Sequence, residues 1–295
     1  MTEHETETRP AGPHAPSRPG AAPGQGPEPQ WPDDAEAARH VAMFGLPGMP
    51  ATGRIAVVTG ATSGIGAATA RRLAADGAVV AAVGRREARL RSLADENERI
   101  LPVTGDVTDP DGMRRIADQV HERLGRADLV VANAGTMLAA PWAAADVDEW
   151  RRMIDTNLVG LLWTGRVFID DLLAAAAEGR RADLVHIGSV GGHQVFPNFA
   201  VYDATKAAIE HLTRHLRVEL GPRGVRVRTV EPGLVQTELG DDMVFPGSRE
   251  ALAELRRSVA NPLSDVDVAE VIAWSASAPP HVNVAELVVV PVSQG

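Results

Sequence analysis

Two residues of the chain stand four positions apart and could act together on a proton. They are Tyr202 and Lys206, the only tyrosine and the only lysine among 295 residues. On a helix, residues i and i+4 share a face, so the ammonium would lie beside the phenol. A neighbouring ammonium favours the phenolate and lowers the phenol pKa from its usual value of about 10. The spacing predicts that Tyr202 exchanges a proton with a substrate oxygen and that Lys206 tunes it.

An exposed helical pair without chemistry is the alternative interpretation of this spacing. All other permanently charged cationic side chains in the sequence are arginines. A single lysine beside the single tyrosine is therefore poorly explained by surface charge. We therefore favour the catalytic interpretation.

Ser189 supplies a third polar group, thirteen positions before Tyr202. It follows an apolar run at 184–187 that is typical of a buried strand. A hydroxyl at the carboxyl end of a strand can hydrogen-bond a substrate oxygen and stabilise the charge that develops there. A serine in this place is by itself usually a turn residue, so its predicted role depends on Tyr202 and Lys206.

A glycine-rich turn follows the first predicted strand. Its predicted ligand-contacting residues are Gly60, Thr62, Ser63, Gly64, Ile65 and Gly66. Glycines here permit a tight turn and a close approach of backbone to a pyrophosphate, which the N–H groups of the next helix would bind. The spacing differs from G-x-G-x-x-G. The turn predicts a dinucleotide site, and a glycine-rich turn without a ligand is the alternative.

Arg85 and Arg86 follow the second predicted strand, where an acidic residue would bind an adenosine ribose and favour NAD. Arginines here can instead hold a 2′-phosphate, so the sequence predicts NADP(H) as the cofactor. Two solvated arginines at the start of a helix are the alternative.

Short apolar runs alternate with longer helix-period segments from residue 52 onward. The predicted strands are 54–59, 78–83, 100–104, 128–132, 183–187, 226–230 and 286–290. The predicted helices include 65–76, 110–124, 146–177 and 202–220. Continuous apolar strands are typical of parallel sheets buried on both faces. The alternation predicts one Rossmann-type α/β domain over 51–295, a doubly wound parallel sheet of about seven strands. The ligand crevice is expected at the carboxyl ends of the strands.

Residues 1–50 read as an N-terminal extension. The first thirty residues are polar, rich in proline and glycine, and poor in aliphatic side chains, which predicts disorder. A short helix is possible at 33–44. The extension is either a partner-binding tail or merely disordered.

The composition narrows the class of protein. A net charge of -10 argues against binding to nucleic acid or to an anionic membrane. The sequence has no apolar run of membrane-spanning length and no secretory signal, so we expect a cytoplasmic protein. The absence of cysteine excludes disulfides and thiolate chemistry.

The motifs together resemble the short-chain dehydrogenase/reductase family from about residue 54 to the C-terminus. They are the glycine turn, Ser189, Tyr202 with Lys206, Asn133-Ala134-Gly135, Asn157 and the segment 232–237. The resemblance implies that an alcohol and a carbonyl are interconverted in a homodimer or homotetramer joined through helices 146–177 and 202–220. One departure is Ala132, where the family often has a second asparagine in a structural role.

The resemblance implies roles for further residues. It places Asn157 in a kinked helix, supporting a water-mediated proton relay behind Lys206. It implies adenine contacts at Asp106 and Val107. It implies cofactor contacts also at Asn133, Ala134, Gly135, Tyr202, Lys206, Pro232, Gly233, Val235 and Thr237.

A narrower similarity bears on the substrate. The segments 153–157, 230–235, 280–284 and 291–294 resemble both the NADP-dependent 3-hydroxy acid (serine) dehydrogenases and the clavulanic acid dehydrogenase-like reductases. The small-molecule substrate is therefore either a 3-hydroxy acid or its semialdehyde, or an aldehyde of specialised metabolism. The loops predicted at 193–199 and 238–262 would decide between them. Arg249, Arg256 and Arg257 could bind a substrate carboxylate, and a solvated helix face is the alternative interpretation of these arginines.

Two other classes of function stay open. The chain could be a non-catalytic NADP(H)-binding regulator, although such a protein has no need of a proton donor. It could also be an epimerase that oxidises its substrate transiently without net redox change. No metal site is predicted, because His211 and His215 lack the glutamate and third ligand of the zinc motif H-E-x-x-H.

Overall fold

The computed structural model describes residues 51–294 of the chain. The predictions for residues 1–50, a disordered extension with a short helix at 33–44, lie outside the described residues. Within 51–294 the backbone alternates between strands and helices, and a parallel sheet lies at its centre.

Seven strands form that sheet, in the order β3-β2-β1-β4-β5-β6-β9, and every pair is parallel. They are β1 (Ile55–Thr59), β2 (Val79–Gly84), β3 (Ile100–Thr104), β4 (Leu129–Ala132), β5 (Asp183–Ile187), β6 (Arg226–Pro232) and β9 (Glu286–Val289). The short strands β7 (Val235–Gln236) and β8 (Leu263–Ser264) pair separately. The strand order reverses between β1 and β4, which is where such sheets bind ligands.

Eight α-helices lie in the described part of the chain. They are α1 (Gly64–Ala75), α2 (Glu87–Glu96), α3 (Pro110–Arg123), α4 (Val147–Met153), α5 (Gly160–Ala177), α6 (Ala200–Leu220), α7 (Pro246–Ser258) and α8 (Asp265–Ser277). The predicted doubly wound α/β fold is confirmed. Each predicted strand or helix begins and ends within two residues of the observed element, apart from a break inside the helix predicted at 146–177.

Side chains alternate along the strands between two buried clusters, one on each face of the sheet. In β1, Ala56 and Val58 pack with helices α1, α2 and α8, whereas Val57 packs with α3 and α5. Apolar side chains on both faces of each strand explain why the strands appear in the sequence as continuous apolar runs.

Two segments differ from the predicted elements. The helix predicted at 146–177 is interrupted by a π-helical turn, Ile154–Val159, between α4 and α5. The loop predicted at 238–262 contains α7, so that prediction was wrong for half of the segment. Pro246 in the first turn and buried Leu252 are the local signals that favour this helix.

Buried charges join the amino ends of the central strands. The carboxylate of Asp183 forms ion pairs with Arg54, Arg226 and Arg228, and Asp128 forms a second pair with Arg54. Burial alone would raise the pKa of Asp183, but the three guanidinium groups lower it to about 2. This network lies at the end of the sheet opposite the predicted crevice.

None of the helices within residues 51–294 has both the length and the apolar character needed to cross a membrane.

Candidate active site

A crevice of about 730 Å³ opens at the carboxyl ends of the strands. All but two of the predicted site residues line it. These are Gly60, Thr62, Ser63, Gly64, Ile65, Arg85, Arg86, Asp106, Val107, Asn133, Ala134, Gly135, Ser189, Tyr202, Lys206, Pro232, Gly233, Val235 and Thr237. The other two, Gly66 and Asn157, lie behind its wall.

Ser189, Tyr202 and Lys206 converge at the centre of the crevice. The Ser189 hydroxyl lies close enough to the Tyr202 hydroxyl to act on its pKa. Ser189 Oγ also accepts a hydrogen bond from Gly191 N at 3.1 Å. Lys206 Nζ lies 5.6 Å from the centre of the Tyr202 ring and donates to Ile187 O at 2.8 Å. Tyr202 and Lys206 share one face of α6, as their spacing predicts, and both are buried.

The pKa values of this pair differ from the sequence-based expectation. Burial raises the pKa of Tyr202 to about 12, and the nearby Ser189 hydroxyl opposes the rise only in part. Burial also lowers the pKa of Lys206 to about 8, against the attraction of Glu210. The predicted lowering of the Tyr202 pKa was therefore wrong, because burial penalises the phenolate more than its polar surroundings stabilise it. At neutral pH the phenol is protonated and can donate.

Asn157 occupies the π-helical turn and is fully enclosed. Its Nδ2 donates to Thr136 O at 2.9 Å and to Thr205 Oγ1 at 3.1 Å, and its Oδ1 accepts from Thr136 N at 2.8 Å. Thr205 Oγ1 in turn donates to Tyr202 O at 2.7 Å. The side chain thus ties the segment after β4 to the helix that carries Tyr202 and Lys206.

The glycine turn between β1 and α1 leaves no room for side chains. Gly60 and Gly64 have φ values of 69° and 51°, in the left-handed region that favours glycine. A Cβ at Gly66 would lie 2.5 Å from both Asn133 Nδ2 and Gly60 O. Asn133 also holds the turn by donating from Nδ2 to Thr59 O at 2.9 Å. The first N–H groups of α1 therefore face an open cradle suited to a pyrophosphate.

Arginines cluster at the end of the crevice next to β2. Arg86 donates to Thr62 Oγ1 at 2.7 Å and to Ser63 Oγ at 2.6 Å. Arg89, which was not predicted, lies one turn further along α2, and both arginines bind the carboxylate of Glu238, at 2.8 Å from Arg89 and 3.0 Å from Arg86. Hydrogen bonds from Arg89 and then Arg86 lower the pKa of Glu238 to about 2. The i, i+3 spacing after Arg86 is the signal that could have identified Arg89.

Asp106 and Val107 follow β3 at the same end. Asp106 Oδ1 accepts from the backbone N and from Oγ1 of Thr108, each at 2.9 Å, and Arg85 lies 3.6 Å from the Asp106 carboxylate. Asp106 therefore caps its own turn while it lines the crevice.

The segment after β6 forms the opposite wall. The methyl group of Thr237 lies 3.1 Å from the position of a Cβ at Gly64, so Thr237 faces the glycine turn directly. Gln294, which was not predicted as a site residue, accepts a hydrogen bond on Oε1 from Leu234 N at 2.7 Å. The C-terminal segment thus fixes the backbone next to Gly233.

Two further arginines line the crevice. Arg256 of α7 donates to Thr237 O at 3.0 Å and Leu239 O at 2.9 Å, and it pairs with Asp241 at 3.0 Å. Arg152 of α4 was not predicted and pairs with Asp242. Leu252 of α7 packs in one buried cluster with Tyr202, so α7 covers this part of the crevice.

The geometry can be compared with known proteins. The family model described as short chain dehydrogenase matches residues 54–244. This chain belongs to the short-chain dehydrogenase family. Sulfoacetaldehyde reductase 2 of Chromohalobacter salexigens is 40% identical over 245 residues, which cover 81% of this short-chain dehydrogenase and 95% of the relative.

Solved structures of other reductases and dehydrogenases also resemble this chain. The closed form of a serine dehydrogenase complexed with NADP+ has a TM-score of 0.76 and 32% identity, covering 82% of this short-chain dehydrogenase and 96% of that chain. A 3-ketoacyl-(acyl-carrier-protein) reductase from Brucella melitensis, complexed with NADH, has a TM-score of 0.74 and 27% identity. The match covers 81% of this chain and 97% of that chain. The predicted family and the predicted resemblance to serine dehydrogenases are confirmed, and family membership makes the protein an oxidoreductase.

Proposed function

We propose that this chain reduces a small aldehyde or ketone with NADPH, and that Tyr202 is the proton donor. The observation that carries the proposal is the convergence of Ser189, Tyr202 and Lys206 beside the glycine cradle, in a crevice large enough for a dinucleotide and a small substrate. The buried Tyr202 phenol is protonated at neutral pH and can therefore act as the acid in a reduction.

The residues of the cradle fit a dinucleotide. Three glycines clear space at the N-terminus of α1, and Arg86 and Arg89 already bind an anion, the carboxylate of Glu238. When bound, NADPH supplies the hydride for the carbonyl carbon. The same arginines, with Arg85, suit a 2′-phosphate. Because one structural neighbour was solved with NADP+ and another with NADH, we assign the preference for NADP to these arginines rather than to the fold.

The chain's own groups would manage the proton. Ser189 donates a hydrogen bond to the substrate oxygen, and Tyr202 transfers its phenolic proton to that oxygen as negative charge develops there. The Lys206 ammonium stabilises the phenolate that Tyr202 becomes. Asn157 holds the helix turn and the Thr136 segment in register, and we place it in the path by which the proton is restored.

We infer that the substrate is a small aldehyde carrying an acid group. Arg152 and Arg256 line the crevice, and the name of the relative at 40% identity, sulfoacetaldehyde reductase, denotes an anionic aldehyde as its substrate. An aldehyde of specialised metabolism would instead use the apolar lining, which includes Phe196 and Phe199.

The test is NADPH oxidation, followed by absorbance, against a panel of semialdehyde acids, sulfoacetaldehyde, β-lactam aldehydes and neutral aldehydes. NADH is run in parallel, and NADP⁺ with 3-hydroxy acids is run in reverse. We expect turnover with an anionic aldehyde and a fall of about 10²- to 10⁴-fold in kcat for Tyr202→Phe, with NADPH still bound. A Tyr202→Phe variant of undiminished kcat would rule out the proposed acid. Tight cofactor binding without turnover of any substrate would favour a regulator, and product formation without net NADPH change would favour an epimerase.

We also propose a homodimer or homotetramer that pairs through α4, α5 and α6. Leu162 on α5 and Val218 on α6 are apolar and exposed in the single chain. Light scattering of the purified protein tests this, and a monomer at micromolar concentration would exclude it.

A further inference from the structure

Three ionisable side chains meet behind the wall of the crevice, on three different elements. His193 follows the short turn Val190–Gly192, Glu210 lies on α6, and Glu231 lies on β6. One ring nitrogen of His193 and one oxygen of each carboxylate lie within 4.8 Å of one another. The three residues do not line the crevice, although Glu210 lies one turn from Lys206 on α6 and its charge acts on the Lys206 pKa.

Two distances in this cluster are close to those between ligands that share an ion. His193 Nδ1 lies 3.7 Å from Glu210 Oε1 and 3.6 Å from Glu231 Oε2. Both separations exceed the roughly 3.2 Å limit of a good hydrogen bond. Two ligands bound at about 2.1 Å to a tetrahedral ion are about 3.4 Å apart. The three ligand atoms, which lie within 4.8 Å of one another, would move closer together when they bind one cation.

Glu210 has a vacant acceptor aimed into the cluster. Its Oε1 is buried and accepts no hydrogen bond from any residue that the structure describes, and the residue is 5% exposed. Glu231 is 3% exposed, and its Oε1 accepts from Thr229 Oγ1 at 2.6 Å, which leaves Oε2 for His193. Two buried carboxylates side by side are costly unless a positive charge compensates them.

The backbone is shaped around these carboxylates. A Cβ at Gly192 would lie 1.6 Å from Glu210 Oε1, and a Cβ at Gly188 would lie 2.9 Å from Glu231 Cγ. The side chain of His193 is 42% exposed, so solvent reaches the cluster from that side. The two glycines thus leave space for the carboxylates, and the exposed side of His193 gives solvent a path to the cluster.

We propose that His193, Glu210 and Glu231 bind a divalent transition-metal cation, with Zn²⁺ as the best match. One imidazole nitrogen and two carboxylate oxygens, with one position open to water, match zinc sites that have three protein ligands. Mg²⁺ prefers six oxygen ligands in octahedral geometry, which this set does not offer.

Within the described residues, a competing pair of zinc ligands is His211 and His215, whose Nε2 atoms lie 3.2 Å apart on α6. The test therefore starts from the full-length double variant His211→Ala/His215→Ala, dialysed against a chelator and titrated with ZnCl₂ by calorimetry. We expect one Zn²⁺ per chain, no competition from millimolar Mg²⁺, and a higher Tm when Zn²⁺ is added.

Two further substitutions, each added to that background, decide the site. Glu210→Gln keeps the shape of the side chain, and His193→Ala changes an exposed residue, so at least the second variant is expected to fold. Each should raise the Kd for Zn²⁺ at least about tenfold and abolish the Tm increase. The proposal is overturned if both added substitutions leave the affinity for Zn²⁺ unchanged, or if the starting double variant binds no Zn²⁺ at all. The three side chains would then share only a proton.

Discussion

Tyr202 and Lys206 show how burial changes the chemistry of a residue pair. Their spacing in the sequence places them on one helix face, but the spacing does not reveal that both are enclosed. Enclosure raises the pKa of Tyr202 to about 12 and lowers the pKa of Lys206 to about 8. Lys206, and not Tyr202, is therefore the group whose charge changes near physiological pH.

This difference predicts the pH profile of the reduction. The ammonium form of Lys206 is present below its pKa, so kcat/KM for NADPH should fall as pH rises through about 8, whereas loss of the Tyr202 proton contributes only near 12. Because kcat/KM reports the free enzyme, it is the right quantity to follow. In Lys206→Arg, whose guanidinium stays charged, the descending limb near pH 8 should disappear even if activity is lower. A limb retained in that variant would assign it to another group.

The segment between β6 and α7 contacts both the glycine turn and the arginines that line the crevice. Thr237 faces the glycine turn, Glu238 binds Arg86 and Arg89, and Arg256 of α7 holds the backbone at 237 and 239. The carboxylate of Glu238 therefore lies where we propose that the 2′-phosphate binds, and the two anions compete for the same arginines.

Removing that competing charge should strengthen cofactor binding. Exposed ion pairs are worth roughly 0.2–1 kcal/mol, so Glu238→Gln should lower the Kd for NADPH about 1.4- to 5-fold and leave the Kd for NADH nearly unchanged. Fluorescence titration of both cofactors measures this effect. Glu254→Gln, which alters an exposed pair with Arg257, is the matched control. Weaker NADPH binding in Glu238→Gln would mean that this carboxylate positions the arginines instead of competing for them.

At the scale of the whole molecule, the crevice and a buried network of ion pairs lie at opposite ends of the sheet. The carboxyl ends carry the crevice, and the amino ends carry the buried network around Asp183. Loss of that carboxylate would leave Arg54, Arg226 and Arg228 buried with reduced compensation. Removing one partner of a buried ion pair typically costs about 3–5 kcal/mol.

Asp183→Asn should therefore lower the free energy of unfolding by about 3–5 kcal/mol, measured by urea denaturation. Asp170→Asn, in an exposed pair with Arg166 separated by 3.8 Å, is the control and should change it little. Because the pKa of Asp183 lies below its ordinary value of 3.8, its contribution is complete above pH about 4 and is lost as pH falls toward about 2. Equal stability of the two variants would show that the arginines are satisfied by backbone carbonyl groups.

The sequence by itself determined the layers of the fold and much of the crevice. Buried parallel strands require apolar runs, a close backbone approach requires glycine at 60, 64 and 66, and a helix places Tyr202 and Lys206 together. Each of these constraints acts within a few residues of the chain, so the local pattern carries it.

Only the tertiary structure decided features that join distant segments. Glu238 reaches Arg86 and Arg89 across about 150 residues, and Glu231 and Glu210 meet His193 from separate elements. The pKa values of Tyr202 and Lys206 depend in the same way on what encloses them. Such contacts and burial arise from packing between segments, and the spacing of residues along the chain carries no record of them.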